Sequence, residues 1–222
     1  YTCFATEELV IGMEGHGREA ISEEVDISET VGWFTSLYPF LMAVPSGASL
    51  GEQIKWMKEH LRAIPEKGLG FGVARYLSPK ADLRQALATV QWDLLFNYLG
   101  QVDNLIQKSS GFQSAVERTG STVDPDYVSP TKIEINSIIS NGTLSLYWSY
   151  RIDSYSAETI TRLADAYLLA LRQIIDHCTE QPYPELTPAD LGLHPEVDSV
   201  AFSAFWADQQ PVLERICRLS PL

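Results

Sequence analysis

The sequence predicts an α+β fold, in which strands and helices mix without strict βαβ alternation. Two neighbouring segments carry most of this prediction. Lys132–Ile139 and Leu144–Tyr150 alternate apolar and polar residues on either side of Asn141-Gly142, which is the strongest short signal for a β-hairpin. Residues 157–177 then repeat apolar side chains at spacings of three and four, which predicts a long amphipathic helix.

The first 45 residues predict two strands joined by polar chain. The apolar run at 7–14 predicts a strand that ends in a glycine-rich turn, and the polar stretch at 21–28 predicts a loop. The β-branched and aromatic residues at 30–35 favour a second strand. Pro39 and Pro45 are expected to bracket a turn.

The middle of the chain predicts two helices and a strand. The apolar spacing at 49–64 predicts a helix that begins at Ser49, with Glu52 as its capping-box partner, and Pro65 ends it. The three glycines at 68, 70 and 72 predict a bend, because they lack the spacing of a phosphate-binding loop. A short helix at 82–89, a fully buried strand at 94–99 and a polar excursion at 103–130 follow.

Composition excludes several classes of function. The 222 residues include 16 basic and 29 acidic side chains, and the net charge of −13 argues against binding nucleic acid or an anionic membrane surface. No apolar run is long enough to span a membrane. Three scattered cysteines indicate free thiols in a reducing compartment, so we expect a cytoplasmic protein.

The segment Glu14-Gly-His-Gly-Arg18-Glu19 directly follows the first apolar run. One interpretation is a proton-transfer site, because a partly buried carboxylate has a raised pKa and becomes a usable base near neutral pH. The alternative is a glycine turn with a structural Glu–Arg pair, and these residues alone slightly favour that alternative. Asn97 and Tyr98, inside another apolar run, either bind a substrate carbonyl or form a satisfied core pair.

The histidines and cysteines predict no metal site. The four histidines lie at 16, 60, 177 and 194, and the adjacent pair His177-Cys178 has no second ligand pair at metal spacing. That pair is better explained as the end of a helix, where a histidine suits the helix dipole.

Four segments follow one another along the chain: residues 14–19, residues 30–39 with Gly32-Trp33-Phe34-Thr35, residues 65–72, and residues 96–103 with Phe96-Asn97-Tyr98-Leu99. In this order they resemble the motif series of epimerization domains in nonribosomal peptide synthetases. Condensation domains, which belong to the same superfamily, usually have an Asn-Thr-based variant in place of Trp33-Phe34-Thr35. The resemblance therefore favours the epimerization member.

The resemblance implies a chloramphenicol-acetyltransferase-like fold and only half of a domain. Residues 1–185 resemble the C-terminal lobe, a mixed sheet packed with helices. The proline-punctuated residues 186–211 are interpreted as an interdomain linker, and residues 212–222 resemble the start of a following condensation domain. The family's His-His-x-x-x-Asp motif belongs to the N-terminal lobe, and no such sequence occurs here.

The implied reaction is inversion of the α-carbon of an aminoacyl or peptidyl thioester, from L to D. Glu14 matches the family's catalytic glutamate, Arg18, Asn97 and Tyr98 match other functional positions, and Trp33 and Thr35 are expected to contact substrate. The resemblance implies no metal and no cofactor bound by this lobe, because the substrate is held on the 4'-phosphopantetheine of a carrier domain.

The implied partners are a peptidyl carrier domain, the N-terminal lobe of the same epimerization domain and a downstream condensation domain. Without the N-terminal lobe the chain is expected to be inactive, and it is expected to expose an apolar interface. Two alternatives remain, a condensation-type lobe that transfers an acyl group and a noncatalytic lobe that docks a carrier.

Overall fold

A computed structural model describes residues 8–19, 22, 24–43, 45–102, 117, 120, 121, 123, 124, 126–193 and 197–209. Cys3, Cys217, most of the predicted excursion at 103–130 and the predicted domain start at 212–222 lie outside this set. The strands are β1 Leu9–Gly15, β2 Ser36–Met42, β3 Leu94–Gln101, β4 Ile133–Ser140 and β5 Thr143–Tyr150. The α-helices are α1 Leu50–Arg62, α2 Leu69–Leu77, α3 Ala81–Ala88, α4 Ala157–Glu180 and α5 Ser199–Gln209. The predicted α+β class is confirmed.

The five strands form one mixed sheet within a compact unit made of residues 8–42 and 68–165. Their order is β2-β1-β3-β4-β5, with β1, β3 and β4 parallel to one another and the two edge strands antiparallel to their neighbours. The predicted hairpin is β4–β5, and its two turn residues, Asn141 and Gly142, have φ of +51° and +68°. These positive angles match a type I′ turn, whose twist fits that of the strands.

One face of the sheet carries the apolar core of this unit. Ile133 and Ile135 of β4 are buried there against Ile160 of α4. Partly buried apolar side chains surround this cluster: Leu94, Phe96, Leu146, Trp148, Tyr150, Tyr155 and Leu163. Because side chains alternate along a strand, Glu134 and Asn136 of β4 point to the opposite face of the sheet.

The prediction of a strand at 30–35 is wrong. β2 begins only at Ser36, and the preceding segment is a loop in which Val31 is 100% and Trp33 is 96% exposed. The backbone carbonyls of Ile27, Thr30 and Gly32 accept hydrogen bonds from the Arg18 guanidinium. The Arg18 side chain, 9 to 14 residues earlier in the chain, thus binds backbone carbonyl groups that a strand would use in its own hydrogen-bond ladder.

The prediction that Pro39 and Pro45 bracket a turn is also wrong, because Pro39 lies inside β2, opposite Gly12 of β1. Proline has no N–H to donate to a ladder and is therefore confined to edge strands and strand ends. β2 is an edge strand of this sheet, which explains why it accommodates Pro39.

Two details of the 68–99 region also differ from the predictions. Gly70 and Gly72 lie inside α2 rather than in a bend, and only Gly68, with φ of +87°, makes the sharp entry to that helix. A Cβ at Gly68 would lie 2.0 Å from the Tyr38 ring, so the position requires glycine.

The strand predicted at 94–99 exists as β3, but it is not fully buried, because Tyr98 and Leu99 are 52% and 53% exposed.

The described residues of the second compact unit are 43, 45–67, 166–193 and 197–209. Its α1 is capped by Ser49, which forms the predicted capping box with Glu52. A short 3₁₀ helix, Pro188–Leu191, packs against α1, with Asp190 paired to both Lys58 and Arg62. The predicted linker at 186–211 therefore contains this packed helix and α5, and the predicted domain boundaries stay predictions.

Candidate active site

Glu14 lies next to the end of β1, partly buried and opposite Leu37 of β2. Burial raises the pKa of the Glu14 carboxyl above its usual value, because it disfavours the charged form. The negative charge of Glu134 on β4 raises that pKa further. A carboxyl group in this environment can accept a proton and release it again nearer neutral pH than an exposed one.

Asn97 shares the sheet face of Glu14. β1 and β3 are parallel, with Gly12 opposite Leu95 and Met13 opposite Phe96. Continuing this register by one residue puts Glu14 opposite Asn97. Asn97 pairs in turn with Asn136 of β4, and the Asn97 Nδ2 donates a hydrogen bond to the Asn136 Oδ1 at 3.1 Å. One carboxyl and two amides thus form a row across three adjacent strands.

Tyr98 belongs to the other face of the sheet. It follows Asn97 directly in β3 and pairs with Ser137 of β4. Alternation along the strand therefore assigns Tyr98 to the face of Phe96, away from Glu14. The structure brings together Glu14 and Asn97 but not Tyr98, whose predicted catalytic role stays a prediction.

Arg18 binds the loop that precedes β2. Its guanidinium donates to the carbonyls of Ile27, Thr30 and Gly32 at 2.9–3.0 Å and lies 4.4 Å from the centre of the Phe34 ring. These contacts order the segment that carries Trp33 and Thr35. A predicted role of Arg18 in catalysis stays untested, and its contacts support a role in shaping this loop.

His16 is tied into the turn by both ring nitrogens. Its Nδ1 accepts a hydrogen bond from the backbone N–H of Arg18 at 3.0 Å, so the proton is assigned to Nε2, which lies 3.0 Å from the Glu19 carboxylate. These contacts hold the turn that follows Glu14.

Trp33 and Thr35 are both exposed on this loop, and their predicted substrate contacts stay predictions. Thr35 lines a cavity of about 810 Å³ on the Glu14 side of the sheet. Leu37 and Leu95 contribute to its wall, and Trp92 covers Gly12, where a Cβ would come within 2.2 Å of the indole. Gly12 is thus required to let the indole reach the sheet two residues before Glu14.

Within the described ranges, no group of three or more His, Cys, Asp and Glu side chains is arranged to hold a metal ion. Nor is any helix in that part of the chain long and apolar enough to cross a membrane.

A model of the condensation domain family matches residues 3–190. The chain belongs to the condensation domain family. This confirms the superfamily inferred from the four motifs, and it confirms the fold type expected for such a lobe.

Several peptide synthetases contain a segment similar to this condensation-family chain. The chain is 39% identical to a mycosubtilin synthase polypeptide of Bacillus subtilis over 97% of its length, which is 8% of that protein. It is also 39% identical to a linear gramicidin synthase polypeptide of Brevibacillus parabrevis, again over 97% of the chain and 3% of that protein. The chain thus spans less than a tenth of these two relatives.

Two solved structures share the condensation-type fold. The epimerization domain from the third module of tyrocidine synthetase B matches with a TM-score of 0.70 and 36% identity, over 81% of this chain and 40% of that one. A condensation domain of the enacyloxin polyketide synthase matches with a TM-score of 0.50 and 12% identity, over 82% of this chain and 34% of that one. The second likeness concerns the fold alone.

In this condensation-family chain, two polar residues of β4 were not identified from the sequence as part of the candidate site. Glu134 and Asn136 are partly buried on the Glu14 face, and the Ser129 hydroxyl donates to the Glu134 carboxylate. The alternation of apolar and polar residues along the hairpin strand did predict that both residues share one face of the sheet. That signal did not show that this face also carries Glu14, because the pairing of β1 with β3 joins segments roughly 80 residues apart.

Proposed function

We propose that this chain is part of an epimerase that inverts the α-carbon of an aminoacyl or peptidyl thioester held on the phosphopantetheine arm of a carrier domain. The observation that carries the proposal is Glu14, a partly buried carboxyl with a raised pKa beside the paired amides of Asn97 and Asn136. The 36% identity to an epimerization domain of tyrocidine synthetase B supports it.

The chemistry requires proton transfer on both sides of one carbon. The α-proton of a thioester is weakly acidic, so its removal needs a positioned base, and the enolate that forms needs hydrogen-bond donors or other electrostatic stabilisation. Return of a proton to the opposite face then completes the inversion. Glu14 serves one face, and the direction of the reaction decides whether it removes or returns the proton.

The group for the other face would come from the N-terminal lobe. The family's His-His-x-x-x-Asp motif provides the counterpart of the glutamate, and residues 1–222 contain no such sequence. The proposed partners are therefore that lobe, the carrier domain that delivers the thioester and a condensation domain that accepts the product.

The test uses the full synthetase that contains this chain. Its carrier is loaded with an L-aminoacyl group labelled with deuterium at Cα, and loss of the label to water is followed by mass spectrometry. Glu14→Gln keeps the size and hydrogen-bonding capacity of the side chain but cannot exchange a proton. We expect it to slow label loss by about 10²–10⁴-fold, the usual contribution of one general acid or base.

Glu180→Gln is the matched control, because Glu180 is exposed at the end of α4, far along the chain from the site. We expect its rate of label loss to equal that of the unchanged protein. Undiminished label loss in Glu14→Gln would refute the role of Glu14. A synthetase that forms a peptide bond but never loses the label would support the acyl-transfer alternative instead.

A further inference from the structure

The amide of Asn97 is held from β4 by a residue outside the four motifs. The Asn97 Nδ2 lies 3.1 Å from the Asn136 Oδ1, and the two residues pair directly in the parallel ladder. Both side chains are partly buried on the Glu14 face. A partly buried amide can adopt two orientations that exchange its oxygen and nitrogen, and a fixed partner selects one of them.

The orientation of the Asn97 amide matters because β3, which carries Asn97, lies between β1 with Glu14 and β4 with Asn136. Asn136 lies on β4, on the side of β3 away from the strand that carries Glu14, and its Oδ1 accepts a hydrogen bond from the nitrogen of the Asn97 amide. An amide oxygen accepts hydrogen bonds but cannot donate them, whereas the nitrogen only donates. The partner on β4 thereby decides which kind of hydrogen bond Asn97 offers next to Glu14.

Asn136 itself sits in a constrained position. It is flanked in β4 by the buried Ile135 and Ser137, and the Ser137 hydroxyl donates to the backbone carbonyl of Asn97 at 2.9 Å. Residue 97 is thus tied to β4 on both faces of the sheet, through its backbone on one and its side chain on the other. Only the second tie sets the orientation of the amide.

We propose that Asn136 is a positioning residue, which fixes the orientation of the Asn97 amide beside Glu14 for proton transfer at the substrate α-carbon. This inference rests on the proposed function. It adds to the site a residue that contacts Asn97 rather than the substrate.

The test is a double-mutant cycle in the full synthetase, with loss of deuterium from the Cα-labelled aminoacyl carrier as the readout. Asn136→Leu removes the acceptor at nearly constant size, and we expect label loss to slow by about tenfold, a common size for coupling between residues in contact. Asn136→Asp keeps an oxygen acceptor for the Asn97 Nδ2 but adds a negative charge, which raises the pKa of Glu14 as Glu134 does. We therefore compare rates at the maximum of each variant's own pH–rate profile, where Asn136→Asp should lie within about threefold of the unchanged protein. Asn97→Ala combined with Asn136→Leu should be no slower than Asn97→Ala alone.

Ser137→Ala is the matched control, because it removes the other tie to Asn97 without releasing the amide. We expect it to lower the thermal unfolding midpoint but not the rate of label loss. Where Asn136→Leu fails to fold, Asn136→Ser, which is too short to reach Asn97, takes its place with the same expected result.

Three outcomes would overturn the inference: an unchanged rate in Asn136→Leu, an equal loss in Asn136→Leu and Asn136→Asp, or multiplicative losses in the double variant. Each is distinct from failure of the proposed function. If Glu14→Gln abolishes label loss and the Asn136 cycle shows no coupling, the epimerase proposal stands and the positioning role falls.

Discussion

At the scale of single residues, the environment of Glu14 follows from its place at the end of a strand. β1 lies inside the sheet, between β2 and β3, and Glu14 near its end is partly shielded from water. The shielding raises the pKa of the Glu14 carboxyl, and Glu134 adds a second negative charge on the same face. Gly17, with φ of +63° and close to the Phe34 backbone, then allows the chain to turn sharply after the strand.

We predict that Glu134→Gln lowers the pKa of Glu14, because it removes the negative charge that disfavours the Glu14 anion. Glu14 would then lose its proton at lower pH. One limb of the pH–rate profile for label loss is set by the ionisation of Glu14. That limb should move to lower pH, while the maximal rate changes little. The profile is measured on the full synthetase with the deuterium-labelled carrier, and Glu180→Gln should leave it unmoved.

At the scale of elements, the 3₁₀ helix Pro188–Leu191 is fixed to α1 by charge. The Asp190 carboxylate accepts hydrogen bonds from Lys58 and Arg62 on α1 and from the backbone N–H of Thr187. Glu59 of α1 accepts a further bond from the backbone N–H of Ala189 at 2.9 Å. Burial alone would raise the pKa of Asp190, but these hydrogen bonds outweigh burial and lower the pKa to about 2.

We predict that this contact is lost in acid. The pKa of Asp190 is lower in the folded chain than its usual value of 3.8, so the stabilisation is complete above about pH 4 and disappears as the pH falls toward 2. The shift corresponds to roughly 2 kcal/mol in the free energy of unfolding. Asp190→Asn should remove this pH dependence, as measured by urea unfolding at about pH 7 and about pH 2.5.

Asp165→Asn is the matched control for that experiment, because Asp165 is exposed on α4. It should retain the full loss of stability between the two pH values. An Asp190→Asn variant with the same pH dependence as the unchanged chain would contradict the assignment.

At the scale of the whole molecule, large apolar side chains remain uncovered. Among the described residues, Val31, Trp33 and Ile152 are at least 88% exposed. Contiguous apolar groups are typical of surfaces that another segment covers, and Val31 and Trp33 lie two residues apart on one loop. An interface with the N-terminal lobe, which the family resemblance implies, stays a prediction.

We predict that the 222-residue chain by itself does not catalyse loss of the α-deuterium from an added aminoacyl carrier. The reason is chemical, since inversion needs proton transfer on both faces and the chain contains no His-His-x-x-x-Asp sequence to serve the second. The full synthetase, assayed beside it with the same carrier, is the positive control. Measurable racemisation by the chain alone would show that one lobe holds both groups.

Local patterns were sufficient to predict several features of the fold and site. The Asn141-Gly142 turn, the α4 helix and the capping box of Ser49 and Glu52 depend on residues a few positions apart, so they were visible in the sequence. The motif order was also sufficient to identify the superfamily. Local propensity failed at residues 30–35, where the side chain of Arg18 holds a strand-like segment as a loop.

Only the tertiary structure determined which side chains share a face. The sequence placed Asn97 and Tyr98 together, but strand alternation separates them, and the pairing of β1, β3 and β4 instead brings Glu14, Asn97 and Asn136 into one row. The physical reason is that sheet pairing joins segments tens of residues apart, and a shift of one residue in register reverses the face of every side chain. The sequence by itself therefore determined the family and predicted Glu14 as the proton-transfer group, whereas the register of the sheet decided which residues surround that carboxyl group.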